Sequence, residues 1–190
     1  MEKLNQLDHE LFLYLNNLGS PAWDALWMGI SNKWYSIPLY AVLLVLVFNY
    51  FGLKKTLVTL VFVALLITCT DQLANLFKFS FERLRPCRAP GIMNHARFVA
   101  ERCGRFGFFS AHAASSMGLT IFIGLSLFKK TALLFFVLLF WACTVGFSRI
   151  YLGVHYPGDV LVGMLIGGIL GFLFLRLHRF VLTKFSDRLM

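Results

Sequence analysis

The sequence predicts an all-α integral membrane protein, a helical bundle of five to six transmembrane helices preceded by an N-terminal interfacial amphipathic helix. Hydrophobic residues make up 58% of the 190 residues and charged residues only 14%, which is more apolar surface than a soluble domain of this size could bury. The apolar residues form long runs with basic residues at their ends. Because no repeat, low-complexity tract or polar linker separates these runs, we expect a single integral membrane domain over residues 1–190.

The charge is strongly basic, with 18 Lys and Arg against 9 Asp and Glu, a net charge of +9. Such a balance also occurs in nucleic-acid-binding proteins, where basic residues gather in one soluble patch. Here they flank apolar runs, so we interpret the excess as membrane topology together with an anion site, and expect no nucleic acid partner. Polar residues such as Asp8 and Glu10 interrupt the N-terminal segment, so no signal peptide is expected.

Residues 1–33 predict helices that lie in the membrane interface. Leucines recur at helical spacing from Leu4 to Leu18 with polar side chains between them, which is typical of an amphipathic helix at a membrane surface. Residues 22–30 form a second short segment in which Trp23 and Trp27 suit the headgroup zone. Whether this short segment spans the membrane is left open by the sequence.

Five longer apolar runs predict the transmembrane bundle, which occupies residues 36–180. About 20 residues are needed to cross the hydrocarbon core of a bilayer, and several of these runs are slightly shorter. In chain order, the runs cover residues 36–51, 56–77, 110–128, 131–147 and 160–177.

Basic turns orient this bundle in the membrane. The pairs Lys54-Lys55 and Lys129-Lys130 and the basic tail from Arg176 to Arg188 lie on one side, which the positive-inside rule makes cytoplasmic. The polar segment 79–108 and the turn at residues 148–159 then lie on the opposite side. We expect this pair of segments to form an extracytoplasmic face.

Two polar clusters border the long polar segment. Lys78 and Arg85 are seven residues apart, so on a helix both side chains point the same way. Ser110 and His112 lie at the start of the third span, where Ser110 can cap the helix and its free N–H groups can bind an anion. Topology brings both clusters to the extracytoplasmic end of the bundle.

A third cluster lies between the last two spans and contains Arg149, His155 and Asp159. Ionisable residues at the edge of a span are costly if they face lipid, so they usually face a cavity. If Pro157 starts a helix, Asp159 lies in its first turn, where a carboxylate is favoured. From there it can hold one ring nitrogen of His155 and leave the other free to act as a base or nucleophile.

Together the clusters offer the groups that a phosphate ester requires. Lys78, Arg85 and Arg149 are cations, and arginine suits bidentate contact with phosphate oxygens. One histidine could attack phosphorus while the other protonates the leaving oxygen. A divalent metal held by the two histidines and Asp159 is the competing interpretation. Because three nearby cations would repel a metal ion, we expect neither a metal nor another cofactor.

The order and internal spacing of the clusters form one composite pattern. It consists of Lys78-(six residues)-Arg85-Pro86, then Ser110-Ala111-His112, then Ser148-Arg149-(five residues)-His155-(three residues)-Asp159. This pattern resembles the three signatures of the type 2 phosphatidic acid phosphatase superfamily, and the layout around the spans is similar to its bacterial membrane members. The resemblance covers the chain from about Lys78 to Asp159.

The resemblance implies a metal-independent hydrolase of phosphomonoesters or diphosphates that works through a phosphohistidine. By position, His155 resembles the nucleophile, Asp159 its orienting partner and His112 the acid that protonates the leaving group. The residues that resemble phosphate ligands are Lys78, Arg85, Ser110 and Arg149. The second signature of the family usually reads Pro-Ser-Gly-His, whereas here Phe109 and Ala111 replace the proline and glycine, and we expect Phe109 to touch the lipid substrate.

Asp71, Asn75 and Lys78 form a polar stripe on the second predicted span. We expect Asp71 and Asn75 to hold Lys78 extended towards the phosphate site. A helix–helix hydrogen bond unrelated to catalysis is an equally good explanation of the stripe.

Cys87 and Cys103 both lie in the extracytoplasmic segment, where an oxidising compartment permits a disulfide. Such a bond would close a loop worth about 3 kcal/mol in the chain-entropy model. We therefore expect these two cysteines to be bridged.

The leading hypothesis is a lipid phosphatase of the bacterial inner (cytoplasmic) membrane with its active site facing the periplasm. Its expected partners are a phosphorylated membrane lipid and the bilayer, and no obligate protein partner is inferred. Candidate substrates are undecaprenyl diphosphate, phosphatidylglycerophosphate, phosphatidic acid and the lipid A 1-phosphate. Two alternatives remain: a phosphotransferase that passes the phosphoryl group to an alcohol, and a non-catalytic protein that binds or transports anionic lipids.

Overall fold

A computed structural model of the chain describes residues 2–184. Within these residues the chain forms six α-helices and no β-strand, apart from an isolated antiparallel bridge between Leu84 and Phe106. In chain order the helices are α1 (Glu2–Asn17), α2 (Pro21–Ser31), α3 (Ile37–Phe81), α4 (Ala111–Leu127), α5 (Ala132–Tyr151) and α6 (Pro157–Lys184). Short 3-10 turns at Lys33–Ser36 and Pro86–Arg88 complete the described structure. The predicted tail residue Arg188 lies outside the described residues.

The helices form an all-α bundle of the predicted membrane type. Three stretches are long and apolar enough to cross a membrane, namely Lys33–Phe81, Ala132–Tyr151 and Pro157–Lys184. Helix α4 is a shorter apolar helix of 17 residues. Large apolar side chains project outward from the bundle, such as Phe140 at 75% exposure and Leu161 at 65%, as expected of surfaces that meet lipid.

The first two predicted spans are one helix interrupted at Gly52. The sequence placed their boundary at a turn formed by Lys54 and Lys55, which is wrong. The backbone instead breaks at Gly52 (φ 74°, ψ 172°), a conformation open to glycine because it lacks a Cβ. Helix resumes at once, with the Thr56 hydroxyl donating to the Gly52 carbonyl at 2.7 Å, so both lysines are helical.

The later helices extend further towards the extracytoplasmic end than the apolar runs indicated. Helix α5 continues to Tyr151, which places Arg149 in its last turn. Helix α6 begins at Pro157, as proposed, with Asp159 in its first turn. Polar residues can extend these helices because their groups find local partners; for example, the buried Ser148 hydroxyl donates to the Val145 carbonyl at 2.7 Å.

Helices α4 and α6 form the closest helix pair and position the extracytoplasmic loops. Every fourth residue of α6 from Gly163 to Gly171 is a glycine, and these glycines face the α4 backbone. The α4 carbonyl oxygens that they approach are, in the same order, those of Ser110, Ala114 and Gly118. Small residues at such spacing let two membrane helices approach closely. At the top of the pair, the Ser110 N–H donates to the Asp159 carbonyl at 3.0 Å.

Helix α1 packs on the extracytoplasmic end of this bundle. Its Asn16 side chain is fully buried and donates to the carbonyls of Ile150 and Tyr151, and accepts from the Arg97 N–H at 2.7 Å. The opposite side of α1 exposes leucines, such as Leu4 at 73%. The helix therefore has one face docked on protein and one apolar face available to the membrane interface.

His178 is buried in the core of the bundle. It is 2% exposed, and its Nε2 lies 3.1 Å from the Thr59 hydroxyl. The rings of Phe62 and Phe122 pack edge-on against it. This histidine pairs with a hydroxyl inside the core at the end of the bundle far from the polar clusters.

Candidate active site

His155 and Asp159 form a buried pair at the start of α6. The Nδ1 atom of His155 lies 3.3 Å from Oδ2 of Asp159, and the two residues are 2% and 0% exposed. The Tyr156 N–H also donates to that oxygen, at 3.1 Å. The backbone N–H of His155 donates to the Arg149 carbonyl at 3.2 Å. The backbone of His155 is thus held by Arg149 and its ring by Asp159 through Nδ1, with Nε2 left as the other ring nitrogen.

Burial lowers the pKa of His155 to about 4, although the Asp159 carboxylate opposes this shift and the charges of Arg85 and Arg149 add to it. A lowered pKa keeps the imidazole neutral at physiological pH. A neutral imidazole carries a free lone pair, which is the form that a nucleophile or base requires.

Three cations lie near the two histidines and repel one another: Arg85 and Arg149 act on His155, and all three act on His112. Lys78, Arg85 and Arg149 are half-buried, and their charges interact directly with each other. Arg85 donates from Nε to the Phe106 carbonyl at 2.8 Å, and burial lowers its pKa. Arg149 donates to the Ser31 hydroxyl, while its Nε is buried without a hydrogen-bond partner among the described residues. Such repulsion and an unpaired donor favour a bound anion.

Ser110 and His112 bring the N-terminus of α4 to the same place. Ser110 is fully buried and caps the helix, accepting from the Ala113 N–H at 3.4 Å, so the predicted cap is confirmed. His112 interacts electrostatically with His155 and with the three cations. His112 at the start of α4 and His155 in the turn before α6 therefore share one electrostatic environment.

His112 opens onto a cavity of about 200 Å³ between α3, α4 and α5. Several of the side chains that line it carry polar groups. They are Ser31, Lys33, Ser36, Tyr40, Asp71, Ser115 and Ser116. The cavity gives space beside His112 for a polar group attached to the reacting phosphate.

The predicted partners of Lys78 differ in how they act on it. Asn75 lies with Oδ1 3.5 Å from the Lys78 ammonium. Asp71 attracts the same ammonium electrostatically and lines the cavity beside His112. The proposal that both residues position Lys78 is compatible with these contacts and stays a prediction.

Arg83 is a further residue of the site that lies outside the motif pattern. Its NH1 atom donates to Oδ1 of Asp159 at 2.7 Å, and its NH2 atom donates to Oδ2 of Asp8 at 2.7 Å. The two carboxylates outweigh the opposing effect of burial and raise the pKa of Arg83. No sequence spacing indicates these contacts, because Asp8 is 75 residues away on α1 and Asp159 is 76 residues away on α6.

Gly107 brings the extracytoplasmic loop directly over the His155–Asp159 pair. A Cβ at this position would lie 2.9 Å from Cγ of Arg85 and 3.2 Å from Oδ2 of Asp159, so only glycine allows this approach. The same loop is closed by a disulfide between Cys87 and Cys103, the pairing that the sequence predicted.

The two departures from the family signature have structural explanations. We expected Phe109 to touch the lipid substrate. Its side chain is instead fully buried and packs edge-on against Phe77, so it offers no exposed surface to a lipid. Ala111 is the first residue of α4 and needs no left-handed backbone; within residues 2–184 only Glu82 among non-glycine residues has a positive φ. The absence of the usual proline and glycine therefore leaves the helix start intact.

The chain is similar to several known proteins. The sequence profile of the PAP2 superfamily matches residues 56–182. A lipid A 4'-phosphatase of Bacteroides thetaiotaomicron is 38% identical over the whole chain and 83% of its own length. A lipid A 4'-phosphatase of Porphyromonas gingivalis is 31% identical over 90% of the chain and 72% of its own length. The crystal structure of Aquifex aeolicus LpxE superposes with a TM-score of 0.67 at 27% identity, covering 88% of this chain and 93% of that one.

Proposed function

The chain belongs to the PAP2 superfamily and is a membrane lipid phosphatase, and from this premise we propose that it removes the 4'-phosphate of a lipid A-type glycolipid through a phosphohistidine at His155. The observation that carries the mechanism is the buried His155–Asp159 pair beneath three cations. The sequence left four candidate substrates open, the lipid A 1-phosphate among them, and the names of the two relatives that match over most of their length favour the 4'-phosphate of lipid A.

In the first step, Nε2 of His155 attacks phosphorus and the bond from phosphorus to the sugar oxygen breaks. His112, whose protonated form is favoured by the negative charge of the bound phosphate, gives its proton to that departing oxygen, which leaves as an alcohol. Asp159 accepts the Nδ1–H of His155 and stabilises the positive charge that develops on the ring as the phosphorus–nitrogen bond forms. Lys78, Arg85 and Arg149 offset the charge on the phosphoryl oxygens.

In the second step, water attacks the phosphohistidine and His112, now without its proton, accepts a proton from that water. The phosphorus–nitrogen bond breaks, inorganic phosphate leaves, and His155 returns to its neutral form. The cavity beside His112 supports the same assignment, because the alcohol must leave and water must enter on the side of the acid–base group.

The contacts of Asp159 favour a metal-independent site. One oxygen accepts from His155 and the Tyr156 N–H, and the other accepts from Arg83. A carboxylate with both oxygens engaged in this way is poorly placed to coordinate a metal. The surrounding cations would also repel a divalent ion.

The location of the site in the cell is part of the same proposal. The alternation of the helices places residues 82–110 and 152–156 at one end of the bundle, opposite the basic pairs Lys54-Lys55, just after the break at Gly52, and Lys129-Lys130. With these basic pairs cytoplasmic, the site faces the periplasm at the outer surface of a bacterial inner membrane.

A panel of lipid phosphates tests this proposal. Purified protein in detergent micelles should release inorganic phosphate from lipid A and leave the 1-phosphate in place, as mass spectrometry of the product would record. The panel should also contain undecaprenyl diphosphate, phosphatidylglycerophosphate and phosphatidic acid. Release should persist in EDTA.

Each contrary result identifies the part of the proposal that fails. Loss of turnover in EDTA that added metal restores would exclude the metal-free mechanism. Transfer of the phosphoryl group to an added alcohol without phosphate release would favour the phosphotransferase. Binding of every lipid without any turnover would favour the non-catalytic binding protein.

The protonation of His155 gives a second test. The pKa of this histidine is lowered, so the ring should stay neutral as the pH falls through 6.5 and gain its proton only towards a pH of about 4. Its ring 13Cε1 resonance in the substrate-free protein, assigned by comparison with His155→Gln, should titrate accordingly. A midpoint at or above 6.5 would show that the ring is not held neutral by burial.

A further inference from the structure

We propose that Asp8 and Arg83 are positioning residues of the reaction, and that helix α1 thereby holds the catalytic pair in its working geometry. Four side chains form a continuous charge chain, in the order Asp8, Arg83, Asp159 and His155. This inference rests on the proposed function of His155 and Asp159, and adds two residues outside the motif pattern to their site.

The charge chain is short and well aligned. Arg83 donates at 2.7 Å from NH1 to Oδ1 of Asp159 and at 2.7 Å from NH2 to Oδ2 of Asp8. Asp159 then presents its other oxygen to Nδ1 of His155. Charge-assisted hydrogen bonds of this length are among the stronger ones in proteins. Arg83 therefore fixes the orientation of the Asp159 carboxylate, and this carboxylate in turn fixes the orientation of the His155 imidazole.

Arg83 acts on the carboxylate and does not bind the phosphate itself. Its two terminal nitrogens are committed to the two carboxylates, with Asn5 as a further acceptor at 3.3 Å. Its guanidinium lies over the Tyr156 ring, 4.4 Å from the ring centroid. Because these contacts hold the Arg83 guanidinium on several sides, we expect it to keep one orientation during turnover.

Asp8 ties this arrangement to the start of α6. While one oxygen holds Arg83, the other accepts from the Gly158 N–H at 2.7 Å, so the carboxylate caps the first turn of the helix that carries Asp159. His9 stacks on Tyr156 with ring centroids 4.7 Å apart. Helix α1 thus contacts Arg83, the start of α6 and the Tyr156 ring.

The charges of Arg83 and Asp8 have opposite effects on the protonation of the His155 imidazole. Arg83 contributes one positive charge beside Asp159, whereas Asp8 contributes one negative charge behind Arg83. Removing Arg83 should therefore favour protonation of His155, and removing the charge of Asp8 should disfavour it. Other charged or titratable groups face the pair from the remaining elements and stay unchanged in the test. They are Lys78 of α3, Arg85 of the loop, His112 of α4, Arg149 of α5 and His9 of α1.

Phosphate release and the His155 titration should be measured for Arg83→Gln, Arg83→Lys, Asp8→Asn and the double variant Asp8→Asn/Arg83→Gln. We expect Arg83→Gln to lower kcat by about 10²-fold with little change in KM, because a displacement of about 1 Å can cost that much. Arg83→Lys, which keeps the charge, should recover part of the loss. Asp8→Asn should lower kcat less, because the asparagine keeps an oxygen that can accept from the Gly158 N–H. The double variant should be no worse than Arg83→Gln, because the remaining effect of Asp8 acts through Arg83.

The His155 midpoint should rise in Arg83→Gln and fall in Asp8→Asn, a pair of opposite shifts that loss of structure would not produce. A matched control is the ion pair between Asp24 of α2 and Arg97 of the loop, at 3.0 Å, which also joins an N-terminal helix to the loop without touching Asp159. Asp24→Asn and Arg97→Gln should keep kcat within about twofold of wild type.

The outcomes separate this inference from the proposed function. If wild-type protein releases no phosphate, or if His155→Ala is as active as wild type, the proposed function fails. If wild type is active and both Asp8→Asn and Arg83→Gln match its kcat, the inference fails. It also fails if the two His155 midpoints do not move in opposite directions, or if the effects on kcat multiply in the double variant. Should Arg83→Gln not fold, the decision rests on a lower kcat in Arg83→Lys and Asp8→Asn together with a fall of the His155 midpoint in Asp8→Asn.

Discussion

Replacing His155 with alanine should reduce phosphate release by about 10⁴-fold or more, since loss of a nucleophile from a cooperating catalytic group costs this much or more in well-studied hydrolases. The imidazole is 2% exposed and held by the carboxylate of Asp159 at 3.3 Å. No other histidine among the described residues occupies that position, so none can take over the attack. Residual turnover would come only from the cations and helix N–H groups that bind the phosphate.

His95 is the matched control for this substitution. It is an exposed histidine in the same extracytoplasmic loop, and its hydrogen bonds are made by its backbone: the carbonyl accepts from Asn17 at 3.0 Å and the N–H donates to the Ile92 carbonyl at 3.0 Å. His95→Ala should therefore retain wild-type kcat. Rapid quenching with labelled substrate should trap an acid-labile phosphoenzyme in wild type and in His95→Ala, but not in His155→Ala. If His155→Ala still formed the labelled phosphoenzyme and turned over normally, the nucleophile would be another residue.

The part of the site that sequence could predict is the part encoded by helical geometry. Lys78 ends one span, His112 begins another and Arg149 ends a third, so alternation of the helices alone brings them to one end of the bundle. The contact between His155 and Asp159 follows in the same way, because it needs only a helix that begins at Pro157. Spacing in the sequence was sufficient to predict a contact where both residues lie on one helix or its adjoining turn, or where they lie at the same end of neighbouring helices.

The missing part depends on contacts between distant segments. Asp8 lies on a helix that looked purely interfacial, and Arg83 lies in a loop rich in basic residues, so neither carried a distinctive pattern. Their pairing becomes visible only when α1 is docked by Asn16 against the end of α5. The burial of Phe109 likewise depends on Phe77 of another element. Side chains whose partners are set by packing of distant elements cannot be assigned from spacing.

The fold shows the same division between local and packing effects. Apolar length and basic turns predicted the helices, but glycine set two features that hydropathy does not report. The break in α3 falls at Gly52, where the backbone is left-handed, and not at the charged pair that follows. The closest helix contact follows the glycines of α6, whose spacing is visible in the sequence but whose partner helix is not.

Gly167→Ala should destabilise the protein by about 3 kcal/mol, near the upper end of the usual cost of forcing extra volume into a packed interior. The added methyl group would overlap the carbonyl oxygen of Ala114 and lie 2.7 Å from its Cα. Backbone atoms of a membrane helix cannot yield as a flexible side chain can, so α4 and α6 must separate. Activity should fall with stability, because this interface continues to the hydrogen bond between Ser110 and Asp159.

Gly168→Ala provides the matched control, because Gly168 follows Gly167 on α6 and differs from it only in the direction that it faces. A Cβ at Gly168 would meet only Cγ of Met117, at 3.8 Å, which is an ordinary contact with a flexible side chain. Its stability should stay within about 0.5 kcal/mol of wild type. Equilibrium unfolding in mixed detergent micelles would compare the two variants, and equal stabilities would mean that close approach of α4 and α6 does not hold the bundle together. A loss confined to Gly167→Ala would instead identify the glycine face of α6 as the feature that sets the distance between the helix carrying His112 and the helix carrying Asp159.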